Sequence, residues 1–156
     1  MGRISAVHRV AFPTPLEAQL VERLRSGGDL AVSLVASIAG AIVGHVAFSK
    51  SEVVSGSGRQ PVAWLAPLAV LPSNQRRGIG ARLVLAGLET CQAQGFRHAV
   101  VVGEPGYYCR FGFTHAAARR LESRWFCDAL MVVSLSPTAA ELAGSLVEPK
   151  AFAALE

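Results

Sequence analysis

Lysine is almost missing from this chain. It occurs twice, at Lys50 and Lys150, and the other 13 of the 15 basic residues are arginine. Cysteine is scarce as well: Cys91, Cys109 and Cys127 are odd in number and too widely spaced for a CxxC pair. That excludes a disulfide frame and fits thiols kept reduced in a cytoplasm. The histidines at 8, 45, 98 and 115 share no ligand spacing with each other or with the cysteines, so no metal is expected. The start lacks the charged-then-apolar pattern of a secretory leader. No repeat, low-complexity block or run of like charge occurs, and the scattered basic residues exclude the arm of a nucleic-acid binder.

What is present describes a folded domain. With 51% hydrophobic and 17% charged residues among 156, the chain can bury a core and is no candidate for disorder. A net charge of +4 carried by arginine suits planar, bidentate partners such as phosphate or carboxylate. From Leu30 to Ser49, 20 residues pass without a formal charge, and Gly40-x-x-x-Gly44 copies a transmembrane packing motif. Ser33, Ser37 and His45 interrupt the run, and its β-branched residues partly alternate. A hairpin turning near Ala39-Gly40 therefore accounts for it better than a membrane span.

Ile4, Val7, His8 and Ala11 mark a short helix over residues 4–12 that ends before Pro13. A second helix starts with Thr14 as cap, Pro15 in its first position and Glu17 in the capping-box position. Its apolar face runs Leu16, Leu20, Val21 and Leu24, and Gly27-Gly28 closes it. The hairpin strands fall near 30–38 and 41–51, and Ser55-Gly56-Ser57-Gly58 reads as a flexible connection. Val62–Leu71 is a strand apolar on both faces. After a basic turn, Ile79, Leu83, Val84, Gly87, Leu88 and Cys91 form a helix stripe that Gly95 ends. His98–Val102 is a second buried strand, which makes a parallel βαβ unit. Then come a loop at 103–106, a short helix, a glycine exit at Gly112 and a strand at 129–135. The tail from Pro137 is alanine-rich and ambiguous.

The turn Gln75-Arg76-Arg77-Gly78-Ile79-Gly80 leaves a strand and opens a helix, so unpaired N–H groups and the positive end of the helix dipole face the same way. Phosphate or pyrophosphate is the natural guest. The nucleotide P-loop is excluded, because its Gly-Lys-Ser/Thr ending is missing. The dinucleotide fingerprint fails because Leu83 stands where its third small residue belongs.

Leu68-Ala69-Val70-Leu71-Pro72 followed by Gln75-Arg76-Arg77-Gly78-Ile79-Gly80 resembles the acetyl-CoA signature of the GCN5-related N-acetyltransferase (GNAT) superfamily. Gly103-Glu104-Pro105-Gly106-Tyr107-Tyr108-Cys109-Arg110-Phe111-Gly112-Phe113 resembles its second signature. The pair is most similar to the bacterial YhbS-type predicted acetyltransferases, and the likeness spans roughly residues 4–135. It implies an α/β (α+β) fold: a mixed, mostly antiparallel sheet with a splayed parallel central pair, flanked by helices.

The resemblance also implies site residues. Leu68, Ala69 and Val70 would pair with the pantetheine arm, and the N–H of Ala69 or Val70 would polarise the thioester carbonyl. Backbone N–H groups of Arg76, Arg77, Gly78, Ile79 and Gly80, with Gln75 beside them, would hold the pyrophosphate. Tyr108 would donate to the departing thiolate. Tyr107 is read as packing or substrate-facing, and Arg110 as a surface charge. The strand 62–70 carries no carboxylate, which leaves Glu104 through water, or His45, as general base. Cys109 is read as a buried thiol and not as an acyl carrier.

The expectation is one acetyltransferase domain over residues 1–156 that transfers acetyl from acetyl-CoA to a primary amine of a small molecule or peptide. No metal, nucleic acid or membrane is involved. The family's first strand is absent at the start, which favours a homodimer, and residues 137–156 form an extension. Lys50–Gln60 and Ala116–Phe126 would line the acceptor's approach. The competing reading is a non-catalytic acyl-CoA-binding module.

Overall fold

The computed structural model describes residues 2–155. Met1 and Glu156, the ends of the expected domain span, lie outside the described residues. The chain gathers into two compact units. The first takes the start to Ser49, Ala66–Gly87, and the segment from Pro149 on; the second takes Lys50–Leu65 and Leu88–Glu148.

The first unit begins with helix α1 (Gly2–Ala11), which buries Ser5, Val7 and His8. Helix α2 (Leu16–Ser26) starts one residue later than the cap signal predicts, with Pro15 in the N-cap position. Thr14 still serves the start: its Oγ1 accepts the Leu16 N–H at 3.4 Å and lies 3.4 Å from Glu17. The buried stripe is Ala18, Leu20, Val21 and Leu24, while Leu16 is exposed. At 100° per residue the stripe centres between Val21 and Leu24, and Leu16 falls about 110° round the axis from it.

Strand β1 (Leu30–Ile38) and the first part of β2 (Ala41–Ser55) form the expected hairpin. Ala39 and Gly40 both have positive φ, 51° and 82°, which is the two-residue turn whose twist matches its strands. No helix among the described residues is long and apolar enough to cross a membrane. Ala36 pairs with Gly44 and Ser37 with Ile42, so Val43 is the extra residue of a bulge. Its carbonyl accepts the N–H of Leu71 at 2.8 Å, which ties the end of strand β3 (Gly58–Val70) to β2.

Helix α3 (Ile79–Ala93) carries the predicted stripe: Leu83, Val84, Gly87, Leu88 and Cys91 are all buried. Two glycines let it lie close on the sheet. A Cβ on Gly44 would stand 3.0 Å from Leu83 Cδ1 and 3.2 Å from the Ala69 carbonyl oxygen. A Cβ on Gly87 would stand 2.2 Å from Cε1 of the fully buried Phe48.

In the second unit the strands lie in the order β5-β7-β2-β3-β4-β6, where β4 is His98–Val102, β5 Leu121–Glu122, β6 Leu130–Ser134 and β7 Gly144–Val147. The predicted parallel pair is β3 with β4, in register over Ala63–Ala99, Trp64–Val100 and Leu65–Val101. β4 pairs antiparallel with β6, and β7 antiparallel with β2. A second parallel pair, β5 with β7, was not foreseen. It draws on the tail that the sequence leaves ambiguous. The segment Ser55–Gly58, read from composition as a flexible connection, is instead a tight turn between β2 and β3. The Ser57 N–H reaches Ser55 Oγ at 3.2 Å, and Glu52 pairs with Arg59 across the hairpin. The architecture is mixed α/β with flanking helices, as expected.

Gly87→Ala tests the helix–sheet contact. Alanine favours helix by roughly 1 kcal/mol over glycine, but the clash with a ring that has no room to move costs about 1–3 kcal/mol. Denaturant unfolding should show a net loss of stability, recovered when Phe48→Leu is added. A stabilised Gly87→Ala protein would show that the helix can move away without cost.

Candidate functional site

The turn predicted to hold a phosphate group lies in the first unit with the strand that leads into it. Leu71 is extended, Pro72–Asn74 make one 3-10 turn, and Gln75 returns to an extended backbone. Arg76 then takes φ 64° and Gly78 φ 80°. A Cβ on Gly78 would meet nothing within 4 Å, so within the protein glycine is needed there for its left-handed backbone and not for space. Arg76 adopts the same region without that freedom. No sequence signal announces it.

Among the described residues, the N–H groups of Arg76, Arg77 and Gly78 have no backbone acceptor, and the Gly78 carbonyl takes the Arg82 N–H at 3.1 Å. Ile79 and Gly80 open α3, where the first N–H groups have no intrahelical acceptor. Five consecutive N–H groups therefore surround one exposed turn at the positive end of a 15-residue helix. The side chain of Gln75 is committed elsewhere: its Nε2 donates to the Val70 carbonyl at 3.0 Å and fastens the turn to β3.

The end of β3 has a defined backbone direction. Leu71 gives its N–H to Val43, on the β2 side. Successive backbone groups of a strand point to opposite edges, so the Ala69 N–H faces β2 as well, and those of Leu68 and Val70 face the other edge. By that alternation the Val70 N–H lies on the edge away from β2.

Tyr108 lies in the second unit, at the end of helix α4 (Pro105–Tyr108). Its backbone N–H and that of Tyr107 donate to the Glu104 carbonyl at 3.0 Å. Its ring meets Tyr107 and Phe113 edge to face, at 5.0 and 5.9 Å between centroids. A Cβ on Gly103 would come within 2.4 Å of that ring, so glycine at 103 makes the space for it. Among the described residues the phenol has no hydrogen-bond partner. Burial, with a smaller contribution from Tyr107, pushes its pKa up to about 12. Arg110 is exposed, with its guanidinium 4.6 Å from the Tyr107 ring centre and Nε donating to the Tyr107 carbonyl. Glu104 is exposed beside them. Cys109 is exposed too, contrary to its reading as a buried thiol, with Sγ 3.6 Å from the Gly106 carbonyl; the buried cysteine is Cys91.

His45 is fully buried and occupied on both ring nitrogens, which leaves it no access to an incoming amine. Nδ1 lies 2.9 Å from His8 Nε2 and Nε2 lies 2.8 Å from Ser33 Oγ, which in turn accepts from Arg25 Nη2 at 3.0 Å. With arginine as a fixed donor, the hydrogen bonds can run Arg25 to Ser33 to His45 to His8. His8 Nδ1 ends the chain, buried and without a partner. Its ring stacks on Phe12 at 5.9 Å. Sequence reasoning missed this cluster because His8 and His45 stand 37 positions apart. Of the expected acceptor-lining stretches, Lys50–Gln60 is mostly hairpin strand, and Ala116–Phe126 contains a 3-10 turn and β5. Among the described residues no cluster of His, Cys, Asp and Glu is arranged to hold a metal ion.

The family model for the acetyltransferase (GNAT) family matches residues 4–113. Over 123 residues the chain is 40% identical to the uncharacterized N-acetyltransferase YhbS of Escherichia coli K12, covering 78% of this chain and 72% of that protein. It is 35% identical over 116 residues to the uncharacterized N-acetyltransferase YjhQ of the same strain, covering 73% of this chain and 64% of that one. The crystal structure of E. coli YhbS in complex with CoA matches with a TM-score of 0.88 at 34% identity, over 97% of this chain and 86% of that one. A GNAT family acetyltransferase from Brucella melitensis in complex with acetyl-CoA matches with a TM-score of 0.78 at 29% identity, over 97% and 90%.

The imidazole pair has a measurable signature. Burial lowers the His8 pKa to about 4, and burial, followed by the charges of His8 and Arg25, lowers the His45 pKa to about 3. Unfolded histidine titrates near ~6.5, so below that pH the unfolded chain takes up protons that the folded one refuses. The stabilisation is complete above about pH 6.5 and is lost as pH falls towards the folded values, by about 1.4 kcal/mol per pH unit and histidine. Urea midpoints should fall steadily from pH 7 to pH 5. A flat profile would show that the pair takes up protons without unfolding.

Proposed function

The chain belongs to the acetyltransferase (GNAT) family, and from that premise we propose that it moves an acetyl group from acetyl-CoA to a primary amine by direct attack. The observation that carries this is the Arg76–Gly80 turn, whose N–H groups have no backbone acceptor and stand at the start of a long helix. Pyrophosphate satisfies those donors. The complexes of the E. coli and Brucella relatives with CoA and acetyl-CoA support the same donor for this chain.

In the proposed reaction the amine nitrogen bonds to the thioester carbon, and the carbonyl oxygen takes the negative charge under the N–H of Val70. The carbon–sulfur bond then breaks, the acetamide forms, and CoA leaves as thiolate. Tyr108 donates a hydrogen bond to that sulfur. Its raised pKa keeps the phenol protonated throughout the neutral range. The proton lost by the amine passes to water, with the exposed carboxylate of Glu104 as the nearest element of the second signature to receive it. With His45 enclosed, Glu104 and water are the bases this reading keeps. The acceptor is a small molecule or peptide, and the arginines of 116–126 suit one that bears a carboxylate.

The remaining parts of the proposal concern setting. The chain acts as one catalytic domain, in a cytoplasm that keeps its three free thiols reduced. It pairs as a homodimer through β1, a strand without a charged residue in which Val35 and Ile38 are about half exposed.

The absence of a carboxylate from β3, together with the sealing of His45, favours one other reading: a module that binds acyl-CoA without turnover. Thiol release across a panel of amines separates the two. Calorimetry should give acetyl-CoA binding, and Tyr108→Phe should lower kcat by at least about 10-fold while acetyl-CoA affinity stays within about twofold. Equal losses in both would assign Tyr108 to packing. Absence of acetyl-CoA binding would overturn the whole reading.

A further inference from the structure

Strand β1 has a neighbour on one edge only. It pairs with β2, and among the described residues no strand lies along its other edge. Residues 32–38 enter no backbone hydrogen bond outside that hairpin. An edge of this length is normally blunted by a charge, a proline or a covering element. β1 has nine residues, with neither a charge nor a proline among them. Along it, in the same unit, runs a cavity of about 450 Å³ between the strand and α3, with Leu34, Ala36, Ile38, Ile79, Leu83 and Arg82 in its wall.

Two charges stand at opposite ends of this edge, and each is poorly placed within its own chain. Arg82 is exposed in the first turn of α3, where the helix dipole disfavours a cation. Asp29 directly precedes β1. Its N–H donates to the Leu24 carbonyl, and its Oδ2 lies 3.2 Å from where a Cβ on Gly27 would stand, at the C-terminal end of α2, where the dipole disfavours an anion. Among the described residues neither side chain has an ion pair or a hydrogen-bond partner. Leu83 packs level with Gly44, which pairs with Ala36. A helical side chain leans towards the helix start, so Arg82 stands at the Ile38 end of β1 and Asp29 at the other.

We propose that two copies of this chain join β1 to β1 antiparallel, about a two-fold axis at Leu34, with Asp29 of each copy paired to Arg82 of the other. The inference rests on the homodimer read for β1 and supplies its register. The two-fold sets residues equally far before and after its centre opposite one another, so the Arg82 end of one strand meets the Asp29 end of the second. Centred at Leu34, the pairing spans the whole strand and sets Ile38 opposite Leu30. Both α3 helices then lie on one face of a continuous sheet, each with its arginine on that face. An uncharged strand meets itself without repulsion, and opposite charges at its two ends make the edge self-complementary. A parallel pairing would set arginine beside arginine. An acidic peptide would satisfy Arg82 and repel Asp29, and a phosphate at the α3 turn would leave Asp29 unanswered.

The test is sedimentation equilibrium of the whole chain at concentrations up to about 100 μM, with the fold of each variant checked by thermal unfolding. The wild-type chain should be a dimer. Arg82→Asp and Asp29→Arg should each weaken it about 10-fold or more, because the symmetry removes two ion pairs at once and puts repulsion in their place. The double variant Asp29→Arg/Arg82→Asp should recover the wild-type affinity within about threefold. Val35→Lys, which sets a charge beside the axis, should give a monomer. A wild-type monomer throughout the range, or a dimer that survives Val35→Lys, would overturn the proposal together with the homodimer through β1. A dimer lost in Val35→Lys but unmoved by the single charge reversals, or not recovered in the double variant, would overturn the proposed register and leave the β1 homodimer standing.

Discussion

The close seating of α3 on the hairpin is the contact on which the first unit depends. It exists because positions 44 and 87 have no side chain: at one the Ala69 carbonyl and Leu83, and at the other the Phe48 ring, occupy the volume a Cβ would need. With the helix held there, its first residues lie beside the end of β3, and the short distance must be covered by Leu71–Gly78. That distance explains the two left-handed residues, Arg76 and Gly78, and the clamp from Gln75 to the Val70 carbonyl. The exposed N–H groups are thus a consequence of packing. A helix standing further off would allow a relaxed loop, with donors free to turn to one another or to water.

Much of this was legible in the sequence because it is punctuated by residues with one physical purpose. Gly27, Ala39-Gly40, Gly95 and Gly112 all end elements where they were expected to, and Gly40, Gly95 and Gly112 do so with positive φ. The α3 stripe and the limits of β4 were readable from periodicity and from an unbroken apolar run. The failures have physical causes too. Ser55–Gly58 has the composition of a linker, and the same residues serve a tight turn once two strands hold its ends. β5 and β7 have two and four residues, too few for any pattern, and depend on each other for pairing. Gly144, with φ 131° and the Val54 carbonyl where its Cβ would stand, fits only when that neighbour is known. In the candidate site the donor turn was visible as a strand–turn–helix motif. The edge that each N–H of residues 68–70 faces needed the Leu71–Val43 hydrogen bond, which composition cannot show.

His45 shows how a polar residue in an apolar strand can mislead. Alone on the sequence it offers a base; in the fold it is the middle of a buried chain from Arg25 to His8. Two neutral imidazoles sharing one proton satisfy each other at less cost than either would incur unpaired. The arrangement is directional, because each ring nitrogen must be donor or acceptor, so it fixes α1 against the hairpin in one register where apolar contacts alone would tolerate sliding. Its depressed pKa values follow from that structural role. A catalytic base needs a pKa near the working pH and a path to solvent, and this pair has neither.

The same logic refines what Tyr108 can do. A leaving CoA thiolate has a pKa near ~8.5, and a phenol raised to about 12 is the weaker acid by roughly three orders of magnitude. Complete proton transfer from phenol to sulfur is therefore uphill, and burial makes it more so. Burial strengthens something else. In a low-dielectric setting a hydrogen bond from a neutral O–H to a forming thiolate gains more than it would in water, and a donor that never ionises does not repel the departing charge. The aromatic cage of Tyr107, Phe111 and Phe113 supplies that setting, and the missing side chain at Gly103 leaves space for the ring. In the proposed acetyl transfer Tyr108 would then serve as a fixed dipole for the transition state, with solvent protonating the sulfur after it has left. On that view the raised pKa is what allows one residue type to be both cage wall and electrostatic partner.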